Sequence, residues 1–502
     1  MMYPWNDSKN YSTKKLDSIR KINTHFIVGV IGKMCLFEVP ITILCLLISV
    51  YYGESALPFG VGTLAFLTIG VICQLLGKNR TDIRIGRREG MLSVTITWLV
   101  LSLLGAIPFL LRTGITGNFF SALFETISGY TTTGATAYAD IESLGKGLML
   151  WRALLQWQGG IGIVVFTVAL IPIFSGGASH IFNAETTGIT HDRFLPKISD
   201  VAKRLTQVYI LETALFALLL WLGPMGLFDS ICHACTSIST GGYSNYTSGV
   251  SSFNSPYTEY VLTIAMYVGS LNMTLIYFAI LGKPIKLIMD EEFRWFTGFI
   301  VLTTLITAIW LWHIGAYTTI EETFRKSVFQ CVSLGSSTGL LTADITAWQP
   351  FFWFIALLLM FINGCTGSTA GGLKMARFIV LVKNLANEFK KQIRPHMLTP
   401  VLINGKQLSI SIVHQILAFC VLYVFLIISG AILITLDGNN FDSSVSIAVS
   451  CVSNSGPGIG KYVSNVAEAG DFTKTVLSFL MLAGRLEVFT VISILTPYFW
   501  RR

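Results

Sequence analysis

Apolar residues in this chain come in long runs, not in alternation. Stretches of about 20 or more weakly charged residues recur from Phe26 to Leu495, each long enough to cross a hydrocarbon core of about 30 Å as a helix. They predict ten spans, near 25–50, 57–77, 90–111, 147–174, 205–223, 256–282, 293–314, 349–390, 407–435 and 472–498. Between some of them lie Ser/Thr/Gly-rich pieces at 118–136, 227–243, 323–341 and 441–460, too short and too polar to cross. These read as re-entrant segments.

The four short pieces repeat one pattern. They contain "SGYTTTGAT", "TSISTGGYS", "SLGSSTGLL" and "SCVSNSGPG", hydroxyl- or amide-bearing runs that end on Gly134, Gly241, Gly339 and Gly456. Each unit is a span, a short helix, a glycine-ended loop and a span. The predicted organisation is an N-terminal segment with two extra spans (1–88), followed by units at 89–175, 176–283, 284–395 and 396–502. The fold class is an all-α integral membrane protein, with four repeats around a central pore and two additional N-terminal transmembrane helices.

Composition agrees with this pattern. The 502 residues are 53% hydrophobic and 12% charged, which excludes an ordinary soluble domain. The net charge of +8 is not a nucleic-acid signal, because the basic residues are segregated. Segments 1–24, 78–88, 175–204, 283–294, 374–406 and 501–502 hold 26 of the 35 Lys and Arg residues. The positive-inside rule then places both termini in the cytosol and the short pieces on the outer half. The polar, basic start "MMYPWNDSKNYSTKKLDSIRK" has no apolar core of a removable signal peptide.

Four like loops on one chain can close around one axis. Backbone that is neither helix nor closed sheet is tolerated at membrane depth only inside protein or beside a wet cavity. A ring of inward carbonyls replaces the hydration shell of a monovalent cation, and glycine permits the backbone angles this needs. The C-terminal ends of the short helices add partial negative charge near the axis. The expected filter is Thr131, Thr132, Thr133 and Gly134; Ser239, Thr240 and Gly241; Ser337, Thr338 and Gly339; and Asn454, Ser455 and Gly456. The expected ligand is a desolvated monovalent cation at these residues, with no covalently bound cofactor.

The loops, together with the span motifs "WQGGIGI" and "GRLEVFT", resemble the potassium-transporting subunit of the Trk/Ktr/HKT superfamily over essentially the whole chain. The two leading spans are similar to the Trk branch. The resemblance implies potassium uptake across the cytoplasmic membrane, a homodimer with one pore per protomer, and a cytosolic nucleotide-binding regulatory subunit. In that superfamily a serine at the first filter glycine goes with sodium transport, so Gly134 implies potassium.

The spans after each loop also align, at "QGGIGI", "VGSLNM", "INGCTG" and "AGRLEV", around Gly160, Ser270, Gly364 and Arg485. Similar path lengths from the loops predict one level below the filter. In the third unit Gly364, Cys365, Thr366, Gly367, Ser368, Thr369, Ala370, Gly371 and Gly372 interrupt an over-long span with small residues of low helix propensity. This stretch, within 362–373, reads as a mobile intramembrane gate, against a small-residue packing face. An arginine at mid-helix costs roughly 2.5–3.5 kcal/mol on insertion scales and needs a wet cavity or a partner. Arg485 is therefore either a barrier to cations or half of a structural ion pair.

Other candidates say less. The nine cysteines lie almost wholly in apolar runs, and Cys232-His233-Ala234-Cys235 lacks a second ligand pair for a metal. No nucleophile pair or metal spacing accompanies the seven histidines, so enzymatic chemistry has no support. Glu125 and Asp229 are expected to open short helices and favour their N-terminal dipoles. The basic stretch 374–395 suits anionic lipid or a regulatory subunit equally. The rival transport reading is a cation-coupled carrier of an organic solute; inverted repeats would favour it, and the four units here share one orientation. A receptor or scaffold without transport would leave the four loops unexplained.

Overall fold

The computed structural model describes residues 22–77, 86–112, 118–174, 198–397 and 399–500. Much of the basic sequence expected in the cytosol, at 1–21, 78–85, 175–197 and 501–502, lies outside the described residues.

The chain is an all-helical, multi-pass membrane protein. Among the described residues, six helices are long and apolar enough to cross a bilayer: α1 (Thr24–Tyr51), α2 (Leu57–Gly77), α3 (Arg87–Gly105, continued by the turn Ile107–Leu110), α6 (Ile198–Trp221), α10 (Glu291–His313) and α14 (Ile410–Thr435). Two further spans are bent pairs: α8 (Pro256–Gly269) with α9 (Met273–Ile280), turned by 109°, and α16 (Asp471–Arg485) with α17 (Val488–Leu495), turned by 117°. The 29-residue α5 (Lys146–Phe174) and the pair α12 (Gln349–Phe361) and α13 (Met375–Ile393) occupy the other two expected positions. The stretch 349–390 is thus not one helix; it breaks at 362–374. There β1 (Ile362–Asn363) pairs in parallel with β2 (Leu373–Lys374) and pins the two ends of the break together.

The short pieces fold as four helices: α4 (Phe119–Tyr130), α7 (Leu227–Ile238), α11 (Ile320–Gly335) and α15 (Phe441–Ser453). Asn118 caps α4 by accepting from Phe120 N, and Thr319 caps α11 by accepting from Glu322 N. Their C-terminal halves are buried continuously.

At the other end of the chain, α1 and α2 form a close hairpin. A Cβ on Gly77 would lie 2.6 Å from Gly29 Cα, and one on Gly32 would lie 2.8 Å from Gln74 N. Glycines let the two backbones touch, the packing that lipid-embedded helices favour.

A buried ion pair within the first unit also ties that unit to the second. Arg152, on α5, donates from Nε to Glu125 Oε1 at 2.8 Å and from Nη1 to the Ser244 carbonyl at 2.8 Å. Its guanidinium lies 4.0 Å from the centre of the Tyr243 ring, and Tyr243 Oη donates to the Glu125 carbonyl. Glu125 also accepts from Thr136 Oγ1 and Ala137 N. It therefore does not open its helix as expected: it sits mid-helix, where the arginine neutralises it. The partner pair on the opposite side is Glu259 of α8, which receives Arg325 and Lys326 of α11.

Arg152→Met leaves the Glu125 carboxylate buried without its counter-charge. A loss of about 3–5 kcal/mol of stability is expected in a denaturation series on the detergent-solubilised protein. The double variant Arg152→Met/Glu125→Leu is expected to regain much of that loss; a single variant as stable as wild type would contradict the assignment.

Candidate functional site

Each short helix ends in the same turn. Thr132, Thr240, Ser337 and Asn454 adopt left-handed φ of 51°, 52°, 61° and 55°. The N–H groups around them fold back onto the last helical turn, as in Thr133 N to Ser128 O, Gly241 N to Thr236 O, Thr338 N to Ser333 O and Ser455 N to Ser450 O. Three of the four left-handed residues are Thr or Ser, an arrangement that stores strain and recurs at functional sites. Two positions later stand the glycines Gly134, Gly242, Gly339 and Gly456, with φ of 86°, 79°, 79° and 91°.

This register corrects the second unit. The sequence alignment put Gly241 beside Gly134, but Gly241 occupies the place of Thr133, Thr338 and Ser455. Gly242 is the matching glycine. "STGGYS" offers two adjacent glycines, and the left-handed φ of Gly242 chooses between them.

The four glycines close a circuit. A Cβ on Gly134 would meet the Gly241 carbonyl oxygen, one on Gly242 the Thr338 oxygen, one on Gly339 the Ser455 oxygen and one on Gly456 the Thr133 oxygen, the fourth contact at 2.6 Å and every one under 3.0 Å. Each loop thus leans a carbonyl on the glycine of its neighbour, in chain order, back to the first. The same glycines line one cavity of about 470 Å³, which Thr136, Arg152, Tyr243, Thr342 and Pro457 also border. One carbonyl differs from the others: Gly241 O accepts from Gln156 Nε2 at 2.8 Å, while Gln156 Oε1 accepts from Tyr243 N.

The small-residue stretch lies directly against this ring. Gly371 N donates to Ser337 Oγ at 2.9 Å, and Thr369 Oγ1 donates to the Ile238 and Gly269 carbonyls. Asn363 Nδ2 donates to Ser453 O at 3.1 Å. A Cβ on Gly364 would lie 2.8 Å from Ser270 O, and one on Gly371 would lie 2.5 Å from Ser453 O. Gly367 and Gly372 take φ of 78° and 69°, so side chains there would strain the backbone. The stretch is anchored from below. Glu292 Oε1 accepts from Thr366 N, Thr366 Oγ1 and Ala376 N at 2.7, 3.0 and 2.9 Å. Asn272, at the bend between α8 and α9, donates to Thr366 O at 2.7 Å, and Cys365 N donates to Ser270 O.

Arg485 reaches the stretch from the last turn of α16. Its Nη1 donates to Thr369 O at 2.7 Å and its Nη2 to Gly159 O at 3.0 Å. The residue is 4% exposed, and none of the ion pairs among the described residues contains it. Glu487 pairs instead with Arg377 at 2.9 Å. The ion-pair alternative therefore falls to Arg377, and Arg485 holds carbonyls. Lys374 adds a second basic side chain, bonded through Nζ to the Ala370 carbonyl.

Several site residues escaped the sequence. Gln156 and Asn272 lie inside apolar runs and Glu292 just before one, and none stood out there; Asn272 also caps α9, accepting from Thr274 N. A polar side chain at span depth was the available signal. Asp229 does lie in the first turn of α7, where it accepts from Asn245 and Tyr246. His233 is spoken for by Asp229 O and Ser244 Oγ.

The geometry matches known proteins. Residues 63–497 fit the model of the family described as TrkH, cation transport protein. The Trk system potassium uptake protein TrkH of Salmonella typhimurium is 34% identical over 82% of this chain and 86% of its own length. That of Escherichia coli K12 is 33% identical over 87% and 91%. The crystal structure of the potassium transporter TrkH from Vibrio parahaemolyticus superposes with a TM-score of 0.87, at 30% identity, over 95% of this chain and all of that one. Matched along nearly its whole length in sequence and in fold, the chain belongs to the TrkH family of cation transport proteins.

Proposed function

We propose that the chain conducts potassium inward across the cytoplasmic (inner) membrane along the axis of the four-loop ring. The observation that carries this reading is the closed circuit of carbonyls on glycines, with a polar cavity on one side and the 364–372 stretch on the other. Carbonyls of Thr131 to Gly134, Ser239 to Gly242, Ser336 to Gly339 and Ser453 to Gly456 are the proposed ligands, so the filter assigned from sequence gains Gly242, Ser336 and Ser453. The relatives named as potassium uptake proteins support the choice of ion, and no carboxylate ring is needed to attract it.

Closure is assigned to Gly364–Gly372 together with Arg485. A fixed guanidinium under a cation path raises the barrier by repulsion, and its bonds to Thr369 O and Gly159 O hold the stretch in place. Opening requires those bonds, and the Gly371–Ser337 bond, to break together. Lys374 belongs to the same level.

The functional unit is proposed to be a homodimer with a cytosolic nucleotide-binding subunit and both termini in the cytosol. The basic-segment asymmetry supports the orientation, and the word "system" in the relatives' names fits a multi-component assembly. The exposed apolar residues Leu385, Phe389 and Ile393 on the basic helix α13 provide a surface for that subunit or for lipid.

Potassium and sodium fluxes into liposomes holding the full chain test this reading. Wild type is expected to prefer potassium, and Gly134→Ser, whose Cβ displaces the Gly241 carbonyl, to lose at least about tenfold of the preference, equivalent to about 1.4 kcal/mol. Unchanged selectivity would count against the filter. Deleting 365–372, or substituting Arg485→Gln, is expected to raise resting potassium flux; a leak no larger than wild type in both would sink the gate assignment.

A further inference from the structure

A carboxyl group of α1 lies deep in the spanning region with no ion-pair partner among the described residues. Glu38, within α1, is 2% exposed, and it takes part in none of the ion pairs found among the described residues. Two neutral side chains hold it. Tyr130 Oη donates to Oε1 at 2.9 Å. The Gln158 side-chain amide faces the same carboxyl, its inner atom 2.5 Å from Oε1 and 3.0 Å from Oε2, and it donates to both oxygens when its nitrogen is the atom turned inward. Tyr130 and Gln158 are themselves more than nine-tenths buried.

Both holders adjoin the site. Tyr130 immediately precedes Thr131 at the start of the first loop. Gln158 immediately precedes Gly159, whose carbonyl receives Arg485 Nη2, and a Cβ on Gly159 would meet the Tyr130 carbonyl and Thr132 Cγ2. The surroundings are otherwise poor in charge. The titratable groups around Glu38 are Cys35 and Cys45 of α1, Cys73 of α2 beyond Cys35, and Tyr130 of α4. The α3 helix brings Trp98 against Tyr130, α5 presents Gln158, and Lys33 of α1 lies on the exposed face.

The hydrogen-bond inventory of this cluster differs between its two protonation states. A carboxylate accepts from Tyr130 and from the Gln158 nitrogen at once. A carboxylic acid carries a proton of its own and needs an acceptor, which the same amide supplies when it turns its oxygen inward. The tyrosine hydroxyl and the amide are both in a dry, low-dielectric setting where a changed bond is costly. Gain of one proton from water therefore reverses Gln158 and alters the hold on Tyr130, with no other atom transferred.

We propose that Glu38 is a proton-binding site, and that its occupancy sets the flux through the ring by way of Tyr130 on the first loop and of Gln158 beside the Gly159–Arg485 contact. This rests on the conducting reading above. In liposomes holding the full chain, wild-type potassium flux is expected to change about fivefold or more between about pH 5.5 and pH 8.5. Glu38→Gln, an uncharged isostere of the acid, is expected to hold flux at the wild type's acid limit throughout. Tyr130→Phe keeps the carboxyl and removes one tie to the loop, so its pH response is expected to fall at least about twofold. Infrared difference spectra between the two pH values, wild type minus Glu38→Gln, are expected to contain a protonated-carboxyl stretch. A wild-type pH response in Glu38→Gln, or no such band, would overturn the proton site and leave conduction standing. A titrating band in a protein with no potassium-preferring flux at any pH would overturn the conducting reading and the coupling with it.

Discussion

There is no room for a Cβ at four glycines, and that exclusion governs the geometry around them. Gly134, Gly242, Gly339 and Gly456 each stand against a carbonyl oxygen of the next loop. Moving any loop outward to admit a side chain would open the circuit, because each contact is shared by two units. The short helices, the bent spans and the Arg152–Glu125 pair then have a common effect: they hold the four loop ends in place. Held so, the carbonyls can substitute for water around a dehydrated cation without charged side chains.

Backbone at membrane depth must also find its hydrogen bonds inside the protein. The loops meet this demand by folding N–H groups back onto the helix ends, which leaves carbonyls for the axis. The 364–372 stretch has no helix of its own and borrows partners instead, from Glu292, Asn272, Ser337 and Arg485. An element held by a few separable side-chain bonds can move, whereas one held by a helical ladder cannot. The proposed gate rests on this dependence on borrowed partners, with Arg485 as a clamp on the Thr369 and Gly159 carbonyls.

Much of this was legible in the sequence because the bilayer simplifies the code. Long apolar runs located the spans, and fourfold recurrence marked the loops before any geometry was known. The break at 362–374 followed from small residues inside a span too long for one crossing. The register of the second loop was not legible, since Gly241 and Gly242 are adjacent and identical and only the left-handed φ of Gly242 distinguishes their places. Glu125 was misplaced because an acid near a helix start resembles a dipole partner, while its arginine lies on another helix, a long-range pairing that no local pattern encodes. Glu487 and Arg377 are hidden from sequence for the same reason. The two N-terminal spans read as an appendage, yet Glu38 of α1 reaches Tyr130 at the foot of the first loop.

Thallium, a dense mimic of potassium, gives the most direct test of the ring. Anomalous diffraction from crystals of the full chain soaked in a thallium salt is expected to place density on the axis bounded by the carbonyls of Thr133, Gly241, Thr338 and Ser455, weakened more by added potassium than by added sodium. Density confined to the outer cavity, or absent from the axis while the four loops remain ordered, would contradict a carbonyl-lined filter.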